Sequence, residues 1–384
     1  MLARSAFAAG LLIAAPASAQ PPLPEWKFGD PRVEIGRDGA IEFFRIGGAA
    51  LLPNGQIAIG DGGNSRIVIV DAGGKQVRTF GRKGAGPGAF ETLASLYAFG
   101  DTVIAIGGPG SRIIAWRAEG TPLYTVQPTG PRETMATVRG PMSARRFIIT
   151  YAPNRLDAPD GIITDTANIG LFDATTRTLT ELGRRAWGVS YVYRQALTKT
   201  EGGRTFTLEG TTVYRTPFLG ETLVASVDGR IVYMPRGGNT VEIGLGTDQP
   251  STRIALPISR PPFDRTGVTL HRDSLIALSK RSGPDPDTES RLNAVFGSGF
   301  PIPRELSTIE SLRVMGPNVW LRAFPVRADS MASWFVLNPA AGRVIARLLI
   351  HKNWQLLGGD EHTALVLRRD SDGVEYVAVM PVVR

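Results

Sequence analysis

The chain is patterned as short apolar runs separated by turns rich in glycine. Between residues 57 and 80, the runs Ile57–Gly60, Arg66–Val70 and Gln76–Phe80 alternate with turns at 61–64 and 72–75. Runs of this length that are rich in branched side chains are typical of β-strands, and short turns containing glycine or asparagine are typical of hairpins. The pattern therefore predicts an antiparallel meander of β-strands.

This meander repeats along the chain. Ile104-Ala105-Ile106 follows Ile57-Ala58-Ile59 at a distance of 47 residues, and Ser111-Arg112-Ile113 follows Ser65-Arg66-Ile67 at a distance of 46. A repeat of this length is typical of one blade of a β-propeller, which is a small four-stranded sheet. Because one such sheet cannot cover its own faces, the blades must stack on one another, and a closed ring leaves no sheet exposed at an end.

Four weaker repeats complete a ring of six. They span residues 145–183, 221–257, 319–350 and 354–381. The last repeat lacks one strand, which we expect the N-terminal segment Arg32–Ile46 to supply. The sequence therefore predicts an all-β fold, a six-bladed β-propeller of four-stranded antiparallel blades with a short helical insert. Pairing of the N- and C-terminal strands closes this ring, and the propeller domain covers residues 20–384.

Three segments fall outside the repeats. Residues 191–214 are predicted to form an extra hairpin, and residues 268–280 a further pair of strands. Between residues 284 and 303 we predict a short helix with Asp287 as its N-cap and Gly297 as its stop. The apolar stripe of this helix consists of Leu292, Val295 and Phe296.

The first residues carry the pattern of a secretory signal. Arg4 supplies a positive charge, Ala6–Ala15 is a short apolar run, and Ala17-Ser18-Ala19 matches a cleavage site. We therefore predict that residues 1–19 are a signal peptide and that the mature chain is periplasmic or secreted. No later apolar run is long enough to span a bilayer, so we do not expect a membrane-spanning protein.

Composition narrows the chemistry further. The chain has no cysteine, which excludes disulfides, thiol catalysis and cysteine metal sites. Its formal net charge is +8, but basic pairs such as Arg145-Arg146 and Arg184-Arg185 are scattered among acidic residues. Nucleic-acid binders more often carry a clustered basic stripe, so we expect no nucleic-acid partner.

No catalytic, cofactor or metal motif is evident in the sequence. The three histidines, His271, His351 and His362, are too far apart in sequence to form a metal-binding pair. The acidic turn Asp370–Gly373 lacks the downstream glutamate of a calcium loop, and no G-x-S-x-G elbow of a serine hydrolase is present. We therefore assign no catalytic, cofactor-binding or metal-binding residue, and we expect no cofactor.

One stretch resembles a known repeat family. Gly60-Asp61, Asn64–Asp71 and Phe80–Phe90 stand in the order of an NHL-type propeller repeat, and the chain is similar to exported bacterial six-bladed propellers. Gly84, Gly86 and Gly88 permit the tight step from one blade to the next. We further expect Phe80 and Phe90 to wedge between adjacent sheets, and Asp61 to bond to Arg66 within a blade.

Two classes of function remain open. The first is a non-catalytic binding or scaffold protein that recognises a protein, peptide or glycan through one face of loops. The alternative is a hydrolase or lyase with a site in the central channel, either with or without calcium, because some six-bladed enzymes hold metal or catalytic residues there. The first class is favoured, since no catalytic constellation was found. Three or more convergent carboxylates, asparagines or histidines in the channel would favour the enzyme, whereas small or apolar lining would favour the binding protein.

The predicted insertions supply the candidate contact residues. Aromatic and arginine side chains are frequent anchors of protein interfaces. A role in packing the insertions onto the blades is the competing interpretation. We expect the propeller to be a monomer. The candidates for partner binding are Trp187, Tyr191, Tyr193, Arg194, Arg291 and Phe296.

Overall fold

A computed structural model describes most of the chain after residue 21. The described residues are 22–107, 111–131, 134–151, 161–201, 204–215, 220–244, 252–258, 265–282, 286–297, 300, 307–324 and 330–384. The predicted signal peptide therefore lies outside the described residues.

The chain forms six antiparallel sheets arranged as the blades of a six-bladed β-propeller, as predicted. The strands in chain order are β1 Lys27–Phe28, β2 Val33–Ile35, β3 Ile46–Leu51, β4 Ile57–Asp61, β5 Arg66–Val70, β6 Gln76–Phe80, β7 Ser95–Phe99, β8 Thr102–Gly107, β9 Arg112–Arg117, β10 Pro122–Val126, β11 Ala136–Pro141, β12 Arg146–Tyr151, β13 Gly161–Asp173, β14 Thr178–Glu201, β15 Arg204–Arg215, β16 Leu223–Val227, β17 Arg230–Met234, β18 Thr240–Gly244, β19 Thr252–Ala255, β20 Ile309–Met315, β21 Asn318–Ala323, β22 Met331–Asn338, β23 Arg343–His351, β24 Gln355–Gly359, β25 Thr363–Arg369 and β26 Glu375–Val383.

Each blade is a meander that runs from the channel outward. Blades 1 to 5 consist of β3–β6, β7–β10, β11–β15, β16–β19 and β20–β23. Blade 6 consists of β24–β26 with β1 and β2 paired to β26. The first strand of each blade is the innermost, and the inner strands β24, β3 and β7 lie side by side, as do β11, β16, β20 and β24.

The two ends of the chain close the ring in blade 6. Lys27 pairs with Val383, and Ile35 pairs with Val377. This confirms the predicted closure, but the predicted segment Arg32–Ile46 begins too late to include β1 and extends too far. The closing strand ends at Ile35, because Gly36 turns the chain at φ +89°, and Ile46 instead begins the inner strand of blade 1.

Aromatic side chains wedge blades 1 and 2 together. Phe80 and Phe90 both contact Trp116 of blade 2, with ring centroids 5.6 and 6.1 Å apart. Trp116 is almost fully buried within the cluster that these rings share. The predicted wedge is therefore confirmed, and burial of such large rings is a main source of stability in this fold.

The connections between blades emerge on one side of the ring, which we call the entry face. Because a blade has four antiparallel strands, the fourth strand ends at the end of the blade where the first strand began. The chain therefore passes from blade to blade on the side where the inner strands begin. Both large insertions occur at such connections. The first begins within β14, after the part of that strand that belongs to blade 3, and the second follows β19 in blade 4.

The first insertion is a hairpin arm. The second half of β14 pairs with β15 from Ser190 opposite Arg215 to Glu201 opposite Arg204, which confirms the predicted hairpin. The arm is continuous with the blade, because β14 runs unbroken from the fourth strand of blade 3 into the hairpin.

The second insertion is helical. Helix α1 spans Arg265–Ser282 and helix α2 spans Pro286–Val295. The predicted strands at 268–280 are wrong, since Val268, Leu275 and Ile276 recur at helical spacing and pack with the apolar residues of α2.

The predicted helix between residues 284 and 303 is confirmed as α2. It begins at Pro286, so Asp287 lies in the first turn and is not the N-cap, and Gly297 follows the helix as expected. Proline is common at the first helical position because its missing N–H has no partner there anyway. None of the helices within the described residues is long and apolar enough to cross a membrane.

Candidate functional site

The inner strands enclose a central channel with a cavity of about 660 Å³. Every blade contributes to its wall, and most of the lining residues are glycine, alanine, leucine or other small or apolar residues. The charged residues that line it are Arg139, Arg313 and Asp360. The lining is therefore made mainly of small and apolar residue types, with two arginines and one aspartate among them.

Arg139 enters the channel wall at a β-bulge. The register of β11 against β12 shifts between Val138 and Gly140, and a bulge of this kind changes the direction of a side chain. The Nε of Arg139 donates a hydrogen bond to Thr150 Oγ1 at 2.8 Å, and the Arg139 guanidinium lies 4.4 Å from the ring centroid of Trp187. Glu221 lies 3.8 Å away and partly balances its charge.

Arg313 lies on the inner strand of blade 5. Its Nε donates to the carbonyl of Leu356 in blade 6 at 3.1 Å, and its Nη1 donates to its neighbour Leu312 at 2.9 Å. The contacts that hold this guanidinium are thus made to neutral carbonyl oxygens. Among the described residues, none forms an ion pair with this guanidinium.

Asp360 is used mainly in a turn. Its Oδ1 accepts hydrogen bonds from the backbone N–H groups of His362 and Thr363, at 2.8 and 2.7 Å. It is the one acidic residue of the channel lining within the part of the chain that the structure describes. Across those same described residues, no group of three or more histidine or acidic side chains is placed to hold a metal ion.

A buried polar cluster fixes the base of the arm to blade 4. Ser190 Oγ donates to the buried carboxylate of Asp165. Thr222 Oγ1 donates to the carbonyl of Ala186 at 2.7 Å and accepts from the backbone N–H of Arg236 at 3.1 Å. Burial lowers the pKa of the Arg236 guanidinium, and the negative charge of Asp165 opposes that shift. These contacts anchor the start of the arm firmly.

Large apolar side chains are exposed on the entry face. Phe44, Met135 and Ile162 expose 53%, 75% and 55% of their surface, and Met331 and Val374 expose 38% and 44%. Each of the five is either one of the first two residues of a strand that begins on the entry face or lies just before such a strand. Exposed apolar side chains that concentrate on one side of a protein often mark an interaction surface.

Phe44 is held in place by a buried carboxylate. Asp61 is fully buried, and its Oδ1 accepts a hydrogen bond from the Phe44 N–H at 2.9 Å. Its Oδ2 accepts from Asn64 Nδ2 and Arg66 Nε, both at 2.8 Å, which confirms the predicted bond to Arg66. A Cβ atom at Gly63 would lie 2.2 Å from the Phe44 ring, so only glycine fits beside it.

The structure buries two of the predicted contact residues. Trp187 is 4% exposed and lies in the core cluster between blades 3 and 4. Phe296 is also 4% exposed and packs against Phe300 at a centroid distance of 4.9 Å. Their surfaces face the protein interior, which agrees with the packing role that competed with partner binding.

The other four predicted contact residues lie in the two insertions. Tyr191, Tyr193 and Arg194 are on β14 in the arm, where Tyr191 is opposite Tyr214. Arg291 is on α2. The predicted role of these residues in partner binding stays a prediction.

Sequence reasoning missed the residues that define the channel and the entry face. Arg139, Arg313, Phe44, Met135 and Ile162 stand in no recognisable motif. Only Phe44 could have been found from the sequence, because it lies shortly before the repeat that contains Asp61.

Comparisons with known proteins identify no family. No family model and no curated protein matches the chain. A protein of Bacteroides fragilis described as exported is 12% identical, with 94% of this chain and 95% of that chain covered and a TM-score of 0.47. A DUF4221 family member from Bacteroides vulgatus is 10% identical, with 94% and 95% covered and a TM-score of 0.43.

A third solved structure is similar at the same level. It is a protein of unknown function from Bacteroides thetaiotaomicron that is 9% identical, with 94% of this chain and 73% of that chain covered and a TM-score of 0.43. Identities and scores this low carry no argument about function. The six-bladed architecture rests instead on the strand pairing of this chain itself.

Proposed function

We propose that this protein is a non-catalytic binding protein that acts outside the cytoplasm and recognises a partner through its entry face. The observation that carries the proposal is the coincidence of two features on one side of the ring. The arm and the helical insertion leave the ring there, and Phe44, Met135 and Ile162 are exposed there.

A polypeptide partner fits this surface better than a glycan. The exposed side chains are one phenylalanine together with flexible or branched aliphatic residues, which match the apolar groups of another protein. The channel supports a binding role as well, because small and apolar residues dominate its lining.

The NHL-type assignment and export belong to the same proposal. The Phe80–Phe90 segment supports the first, since Gly84 and Gly88 take φ values of +136° and +69° in the step between blades. The pattern of residues 1–19 supports export, with a mature chain in the periplasm or outside the cell. Mass spectrometry of the protein from its native host is expected to find Gln20 as the first residue, and a retained Met1 would contradict export.

The binding role is tested by capture with matched variants. Purified protein of residues 20–384 is incubated with an envelope extract of the native host, and the captured proteins are quantified by mass spectrometry. The combined variant carries Phe44→Ser, Met135→Ser and Ile162→Ser. The amount of partner that it captures is expected to be at least about tenfold lower than the amount captured by the unchanged protein, because central apolar contacts dominate interfaces.

The control variant carries Val77→Ser and Leu123→Ser. These two residues are 42% and 36% exposed at the start of the outermost strands of blades 1 and 2, away from the entry face. The control is expected to capture the same partner as the unchanged protein. The proposal fails if all three forms capture the same set of proteins, or if none captures any.

A further inference from the structure

We propose that the central channel is a binding site for an organic carboxylate, an anionic head group carried on an apolar body. This proposal is independent of partner binding at the entry face. It rests on the channel cavity, on the two arginines in its wall and on the small and apolar residues around them.

Arg313 is the group that recognises the anion. A guanidinium has five N–H donors in a planar fork that matches a carboxylate. Two of its nitrogens bond to the carbonyl oxygens of Leu356 and Leu312, and these bonds fix the side chain without neutralising it. Arg313 is an exposed residue and belongs to the cavity wall, and its Nη2 makes no hydrogen bond to any described residue.

Arg139 adds positive charge from a different blade. It lines the same cavity and is held in one orientation by Thr150 and by the ring of Trp187. Glu221 offsets part of this charge and does not line the cavity. The lining itself contains two arginines and one aspartate, a formal charge of +1, which suits a singly charged carboxylate better than a doubly charged phosphate.

The remainder of the cavity suits an apolar body. Leu51, Tyr97, Leu312 and Val314 belong to the wall and are partly exposed. A volume of about 660 Å³ is ordinary for a small-molecule site, and such sites combine apolar walls with a few oriented polar groups. A ligand with a charged head and an aromatic or aliphatic body therefore satisfies the whole cavity.

The experiment compares charged ligands with neutral ligands of the same shape. Isothermal titration calorimetry is performed on residues 20–384 with phenylacetate and octanoate, with phenylacetamide and octanamide as neutral counterparts, and with phenyl phosphate. At least one of the two carboxylates is expected to bind about tenfold or more tightly than its amide, because a hydrogen bond to a charged group is stronger than one to a neutral group.

Variants of Arg313 locate the binding. Arg313→Gln is expected to weaken carboxylate binding by about 10- to 100-fold. Arg313→Lys keeps the charge but loses the planar fork, so we expect an intermediate loss. The control Arg343→Gln removes an exposed arginine at the start of β23 and is expected to leave binding unchanged. Circular dichroism establishes whether each variant folds. If Arg313→Gln does not fold, the comparison of Arg313→Lys with the unchanged protein is the test.

Three outcomes overturn the proposal. It fails if neither carboxylate binds, or if a carboxylate binds equally to the unchanged protein and to the folded Arg313 variants. It also fails if phenyl phosphate binds more tightly than both carboxylates, because the site would then select phosphate.

Discussion

A chain that begins at residue 36 is expected to have a free energy of unfolding about 5 kcal/mol or more below that of a chain that begins at residue 22. The deletion removes β1 and β2 from blade 6 and leaves β26 as an open edge. It also removes Trp26 and Ile35, which are 8% and 2% exposed in two different core clusters. Burial of one large aromatic or branched side chain alone is worth several kcal/mol.

The measurement is urea denaturation followed by tryptophan fluorescence. The expected result is a much lower midpoint for the shortened chain, together with aggregation through the exposed strand edge. A synthetic peptide of residues 22–35 is expected to restore the midpoint, whereas the same peptide with Trp26 and Ile35 replaced by serine is not. Equal midpoints for the two chain lengths would show that the ring is closed in some other way.

Asp61→Ala is expected to lower the free energy of unfolding by about 3–5 kcal/mol. The carboxylate is fully buried and accepts hydrogen bonds from Phe44, Asn64 and Arg66. Alanine would leave these donors without their acceptor, including a guanidinium that is partly removed from water. The segment that presents Phe44 on the entry face would lose the hydrogen bond from the Phe44 N–H to Asp61.

Asp71→Ala is the matched control in the same blade. Asp71 Oδ1 accepts from the N–H groups of Gly73 and Lys75 in an exposed turn, at 3.0 and 2.9 Å. Asp71→Ala is expected to lower the free energy of unfolding by about 1 kcal/mol, because water can replace an exposed acceptor. Chemical denaturation of both variants measures the difference, and equal losses would contradict a special role for Asp61.

The outer strands of the blades were predictable because their apolar runs and turns are regular. The inner strands of blades 1, 2, 3 and 5 were not predicted. β3 reads Ile-Gly-Gly-Ala-Ala-Leu, and small residues of this kind give little strand signal. β3, β11 and β20 also contain register shifts, which break the alternation that identifies a strand.

The candidate site was less predictable than the fold. Its channel is built from inner strands of all six blades, so residues such as Arg139 and Arg313 line one cavity only because the ring closes. The exposed residues of the entry face lie at or just before the starts of strands, where local sequence does not distinguish a solvent-exposed side chain from a buried one. For the same reason, Trp187 was predicted as a contact residue, although it packs between blades.

The most direct test of the entry face is photo-crosslinking in the native host. A photoreactive phenylalanine analogue is placed at Met135 on the entry face or at Leu123 on the outer edge of blade 2. We expect a discrete crosslinked species from position 135 and none from position 123. Crosslinks from position 123 alone, or identical crosslinks from both positions, would contradict recognition through the entry face.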